Sequence, residues 1–260
     1  MEFSVLLFKT NKMKIRISII TLFISIITLA QTTTNEVIYK KRSTKIYVKD
    51  STEISPRMLA VRKAYPLALE YKSYLLKFSK NESFFEEMES VEPDNKLNSF
   101  ARIMADFAGG TKGKFYVNIN KDTLLHQKTL KSDLFLVSSK VSSINWVIDF
   151  NNSKNIGKYK CFKATTFKEE LMHKGGIVSR PVIAWFCPEL AFSFGPIEFS
   201  GLPGLILELE FPEEKIILFA DKITLNKKIK KDIKSLTKGI KVTKQEFIDI
   251  EKKGSRNYTK

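Results

Sequence analysis

The chain has 260 residues and a formal net charge of +16 at pH 7. Its length fits one domain, or one domain with a tail, and can bury a substantial core. The charge invites nucleic acid, but the Lys-rich stretches carry no recognition motif with interleaved aromatics, so an anionic envelope surface or colloidal solubility suits it better.

Met13 opens a better export signal than Met1, because Lys14 and Arg16 precede an apolar stretch from Ile17 to Leu29. That stretch lies within the ~7–15 residues of a signal-peptide core and below the ~20 of a membrane-spanning helix. Thr28-Leu29-Ala30 supplies small residues before a cut at Gln31, so residues 1–30 read as a signal peptide. No cysteine at that junction supports a lipid anchor. The mature chain, still basic, is expected in the periplasm, on the outer-membrane surface or outside the cell, with no transmembrane anchor.

Residues 31–225 read as an antiparallel β domain. A first strand is expected around Val37-Ile38-Tyr39, then a short helix in 54–69 that stops before Pro66, whose ring disfavours helical geometry in its predecessor. Tyr71–Ser79 and Ser83–Met88 alternate as a strand pair bent at Lys80-Asn81. Pro93-Asp94-Asn95 and Gly109-Gly110 suggest a loose insertion over 90–113. From Phe115 the segments 115–119, 123–131, 134–137, 144–150 and 159–167 are rich in β-branched or aromatic residues and bounded by turn formers. Their spacing predicts an antiparallel meander, so the fold class is mainly β: a curved, half-barrel-like sheet with one or two C-terminal helices.

Cys161 and Cys187 flank His173-Lys174-Gly175-Gly176, and their midpoint is residue 174. A hairpin folded there sets the two side chains opposite each other, within disulfide range at cross-strand Cα separations of ~4.5–5.5 Å. Export favours a bridge; two buried thiols are the alternative. Further on, Leu202-Pro203-Gly204-Leu205 fits a type II turn. The strand Leu205–Phe211 then alternates Leu205, Leu207, Leu209 and Phe211 against Ile206, Glu208 and Glu210, with Ile216–Ala220 following. Residues 226–260 form a basic, partly helical tail. Ile229, Ile233, Leu236 and Ile240 space as an amphipathic helix among lysines, and Thr243-x-x-Glu246 is a capping box for a second.

Chemistry-bearing spacings are scarce: no metalloprotease, redox, hydrolase or dinucleotide motif occurs. Gly109-Gly110-Thr111-Lys112-Gly113-Lys114 resembles a phosphate loop faintly, but Phe115 stands where Ser or Thr is needed, so it reads as a solvated turn. His126, His173, Cys161 and Cys187 are the only soft ligands, with His173 far from the cysteines, so no metal and no cofactor is expected. Glu208 and Glu210 share a face that reads as solvated. Trp185, Phe186, Phe192, Phe194 and Phe199, broken by Pro188, Gly195 and Pro196, either fill the concave side or line an apolar binding surface.

Gly201-Leu202-Pro203-Gly204-Leu205-Ile206, with Gly157–Ala164, Ala184-Trp185-Phe186 and Gly195-Pro196, resembles the signature of the GLPGLI family of uncharacterised exported bacterial proteins. The similarity runs from about Trp146 to Ala220 and departs at Arg180-Pro181 and Leu190-Ala191. It implies secretion and names no activity. The strand order is also similar to periplasmic lipoprotein-carrier half-barrels, by architecture alone. The reading is a non-enzymatic exported protein that holds an apolar ligand or a partner's segment on a curved sheet. The alternative is an outer-membrane accessory protein that docks on anionic lipid or a transporter through its basic tail.

Overall fold

The computed structural model describes residues 33–44, 55–89, 98–171, 176–228 and 233–256. The export signal and His173 lie outside them. In chain order the strands are β1 (Thr33–Ser43), β2 (Ser73–Phe78), β3 (Glu82–Glu87), β4 (Lys114–Asn118), β5 (Thr123–Leu130) and β6 (Asp133–Ser139), then β7 (Val147–Ile156), β8 (Tyr159–Leu171), β9 (Ile177–Cys187), β10 (Leu205–Phe211), β11 (Ile216–Lys228) and β12 (Ile240–Thr243). Among the described residues three helices accompany them: α1 (Pro56–Glu70), α2 (Ser99–Phe107) and α3 (Lys244–Arg256). The strands make one open sheet in the order β12-β6-β5-β4-β3-β2-β1-β11-β10-β9-β8-β7, so the expected mainly antiparallel β class holds. Among the described residues only the β12–β6 pair is parallel.

Alternation places Val37, Tyr39 and Lys41 of β1, with Tyr74 and Leu76 of β2 and Phe85 of β3, on one face. That face is concave, since Lys168 of β8 and His126 of β5 both converge on residues 110–113. The concavity is filled. The helix α2 lies over it, residues 188–204 pack into it, and α3 seats Phe247 against Phe135 and Val137.

Several local expectations change. The helix α1 runs through Pro66 to Glu70, because its last turn buries Ala68 and Leu69 in the core. That burial offsets the ~3 kcal/mol a helical proline costs. The insertion at 90–113 contains α2, whose first turn is capped by Asn98 Oδ1 accepting from Phe100 N at 3.0 Å and Ala101 N at 3.2 Å. Pro181 lies inside β9, opposite Phe167 and beyond the last β9–β10 pair, where its missing N–H leaves no ladder bond unmade.

The basic helix expected over 227–241 does not form in its described parts. The strand β11 pairs with β1 as far as Lys228, and residues 233–239 cross the convex face, where Gln127 Nε2 donates to Lys238 O at 2.8 Å. Gly239, at φ 116°, then lets the chain close on β6, since a Cβ there would meet Phe135 C at 2.9 Å. The capping box forms as expected: Thr243 Oγ1 accepts from Glu246 N at 3.2 Å, and Glu246 Oε2 accepts from Thr243 N at 2.7 Å.

Candidate functional site

The GLPGLI-like hexapeptide is an interior corner. Leu202, Leu205 and Ile206 are buried, and the Tyr39 hydroxyl donates to Ile206 O at 2.6 Å. A type II turn is not what forms here: Gly204 N donates to Leu202 O at 2.8 Å, while Leu205 N turns away to Leu190 O at 2.9 Å. Glycine is required at 204 by approach, because a Cβ would stand 2.3 Å from Cys187 O. Gly201 N completes the corner by donating to Ser193 O at 2.9 Å, and Pro203 spans the bend.

The aromatic run packs mainly into the core. Phe186, Phe194 and Phe199 are buried, Trp185 and Phe192 half-buried. Phe192 meets Phe78 edge-on at 4.9 Å, Phe199 lies 6.2 Å from Phe211, and Phe186 lies 6.4 Å from Phe162. Each ring sealed this way contributes about 1.5–3 kcal/mol, which explains why the chain closes over them.

Cys161 and Cys187 are both free and both buried. The β8–β9 ladder runs from Leu171 opposite Ile177 to Phe162 opposite Phe186, and one further step sets Cys161 opposite Cys187. Burial, and then the neighbouring Cys187, push the Cys161 thiol up to about 12, so it is a poor nucleophile as it stands.

Across the same convex face runs a charged row. Glu208 is buried, its side chain only 6% exposed, which corrects the solvated reading. Arg42 Nη2 donates to its Oε2 at 3.1 Å and Lys154 Nζ closes on its Oε1. Glu210 Oε1 accepts from Trp185 Nε1 at 2.6 Å, and Lys154 Nζ lies 4.2 Å from the Trp185 ring. Two cations on one buried carboxylate make a strut between β1, β7 and β10. It binds the sheet together and offers no unpaired acid for catalysis.

Behind it, on the concave side, sits a second cluster that no sequence spacing signals, since its members come from five separate segments. Lys41 Nζ donates to Ala105 O at 2.9 Å and lies 4.9 Å from the Tyr74 ring centre. Burial pushes its ammonium down to about 7. Lys72 bonds Asp106 at 2.7 Å and Glu87 at 2.9 Å, and these carboxylates outweigh burial to hold it charged. Thr111, expected in a solvated turn, is buried and donates to the Tyr74 hydroxyl at 3.1 Å. His126 stacks on Phe115 at 4.0 Å and burial drives it down to about 4, so it stays neutral.

One open cavity of about 540 Å³ adjoins these clusters, lined by Lys40, Lys41, Arg42, Leu67, Glu70, Tyr71 and Phe219. It exists because β1 runs past the start of β2, whose Ser73 pairs with Lys40, leaving the end of α1 beside Lys41 and Arg42. Arg42 lies 4.8 Å from the Phe219 ring and Lys40 pairs with Asp221 at 3.1 Å, so apolar walls and cations share the rim. Its size suits a small ligand. Among the described residues, no group of three His, Cys, Asp or Glu side chains is placed to hold a metal ion.

A family model described as a protein of unknown function (Porph_ging) matches residues 168–208, from late β8 through β9 and the corner into β10. No curated protein matches the chain. A solved chain, the structure of PNGF-II in space group P21, superposes with a TM-score of 0.48 at 12% identity, over 84% of this chain and 33% of that one. The present chain thus spans about a third of that chain's length.

Proposed function

We propose that this is an exported, non-enzymatic binding protein of the GLPGLI type, which takes its ligand in the rim cavity between β1, β11 and α1 and not in the concavity of the sheet. The supporting observation is the contrast between a concave side filled by the chain itself and an open cavity lined by both rings and cations. Phe219, Tyr71 and Leu67 suit an apolar body, while Lys40 and Arg42 suit an anionic group on it. The reading includes a Cys161–Cys187 bridge formed on export, supported by a β8–β9 register that, continued one step past Phe162 and Phe186, brings the two residues opposite each other. Anilinonaphthalene sulfonate, an aromatic anion, is a direct probe. Its fluorescence should rise on binding and be lost in Phe219→Ala and Lys40→Ala, in protein shown by circular dichroism to be folded; equal titrations for all three proteins would refute the assignment.

A second reading has its own observation. Lys234, Lys238, Lys241 and Lys244 are exposed along the segment that crosses to the β12 edge, as docking on anionic lipid or on a transporter through the basic tail would need. Charge reversal at Lys238 and Lys241 that abolishes envelope retention would favour it over the cavity.

A further inference from the structure

The helix α2 is amphipathic in the inverted sense. Its small residues Ala101 and Ala105 face the core and are fully buried. Phe100, Ile103, Met104 and Phe107, at the i, i+3, i+4, i+7 spacing of a single stripe, point outward with 49%, 52%, 42% and 60% of their surfaces exposed. Alanines let the helix lie close to the sheet, and the large side chains are left outside. Scattered apolar residues are normal on a soluble surface, but two phenylalanines, an isoleucine and a methionine on one nine-residue helix are a docking face.

The charges around the stripe say what it docks on. Lys112 Nζ lies 4.4 Å from the Phe107 ring, and α1, packed against α2, adds exposed Arg57 and Lys63. Of the acids nearby, Asp106 is taken by Lys72, Glu214 Oε2 accepts from Gly109 N at 2.7 Å, and Glu70 lies at the end of α1 that the Lys72–Asp106 pair joins to α2. An apolar stripe with a lysine over its last ring, on a helix too short to span and in a chain of net charge +16, suits a helix lying in the headgroup plane of a negatively charged bilayer. No described helix is long and apolar enough to cross a membrane.

We propose that the outward face of α2 docks this protein on the surface of an anionic lipid bilayer, with Phe100, Ile103, Met104 and Phe107 entering the acyl boundary and Lys112, Arg57 and Lys63 meeting the headgroups. The inference rests on the envelope location proposed above and is independent of the rim cavity. Flotation of protein recovered from the envelope of expressing cells tests it, using phosphatidylcholine vesicles with and without phosphatidylglycerol. The protein should float with the anionic vesicles and release partly in high salt. Ile103→Asp combined with Phe107→Asp should weaken flotation ~tenfold or more, leaving melting temperature and anilinonaphthalene sulfonate binding unchanged. A Phe107→Trp variant should blue-shift its emission on the same vesicles. Flotation indifferent to the double variant, flotation lost only on charge reversal at Lys238 and Lys241, no flotation at all, or a concentration-dependent dimer that buries the stripe would each overturn the proposal. Loss of probe binding with flotation intact would instead count against the cavity alone.

Discussion

Two buried residues show how far chemistry at a single position controls this fold. At Gly204 the constraint is approach to the Cys187 carbonyl, so Gly204→Ala must move the corner or β9. A loss of order 1–3 kcal/mol in urea unfolding is expected, with ligand binding unaffected in the folded fraction. At Lys41 the constraint is charge. Its ordinary value of 10.5 falls to about 7 on burial, so between those pH values the unfolded chain binds the proton more than the native one does. Stability from this group therefore rises with pH from about 7 towards 10.5, by at most ~1.4 kcal/mol per pH unit. Urea midpoints of wild type and Lys41→Met should diverge in that sense between pH 7 and pH 10, and parallel curves would contradict the assignment. None of this was legible from Lys41 in sequence, because its partners Ala105, Tyr74 and Glu87 arrive from separate elements.

At the scale of elements, strands were readable and helices less so. Alternation at Leu205–Phe211 and the midpoint of Cys161 and Cys187 both anticipate the observed registers, since period-two patterns are local. The helix α2 was hidden by turn formers on both sides, although Asn98 followed by Phe100, Ile103, Met104 and Phe107 held its cap and its stripe. A periodicity reading would still have pointed that stripe inward. The basic segment failed the other way: Ile233, Leu236 and Ile240 have helical spacing, but β1 offers β11 a ladder that extends to Lys228. Two tests belong here. Non-reducing electrophoresis of the secreted protein should show a mobility change on reduction and no titratable thiols, the bridge being worth ~3 kcal/mol; two native thiols would eliminate it. Phe247→Ala, which empties the seat against Phe135 and Val137, should cost about 3–5 kcal/mol if α3 folds with the sheet, and only strip hydrogen-exchange protection from β12 if it folds apart.

For the whole molecule, a half-barrel suggests a cup, and aromatic residues suggest its lining. Among the described residues the cup is occupied: Phe192 and Phe194 pack on Phe78, and α2 and α3 lie over other parts of it. The proposed binding site therefore lies at the rim, where β1 outruns β2, a feature of strand length that no motif announces. Native mass spectrometry of wild type and Phe219→Ala, both purified from the envelope, tests this most directly. A small amphiphile of the size a ~300–1,000 Å³ pocket accepts should travel with the wild type and be missing from the variant. A wild type that flies empty, or a variant that keeps the same ligand, would contradict it.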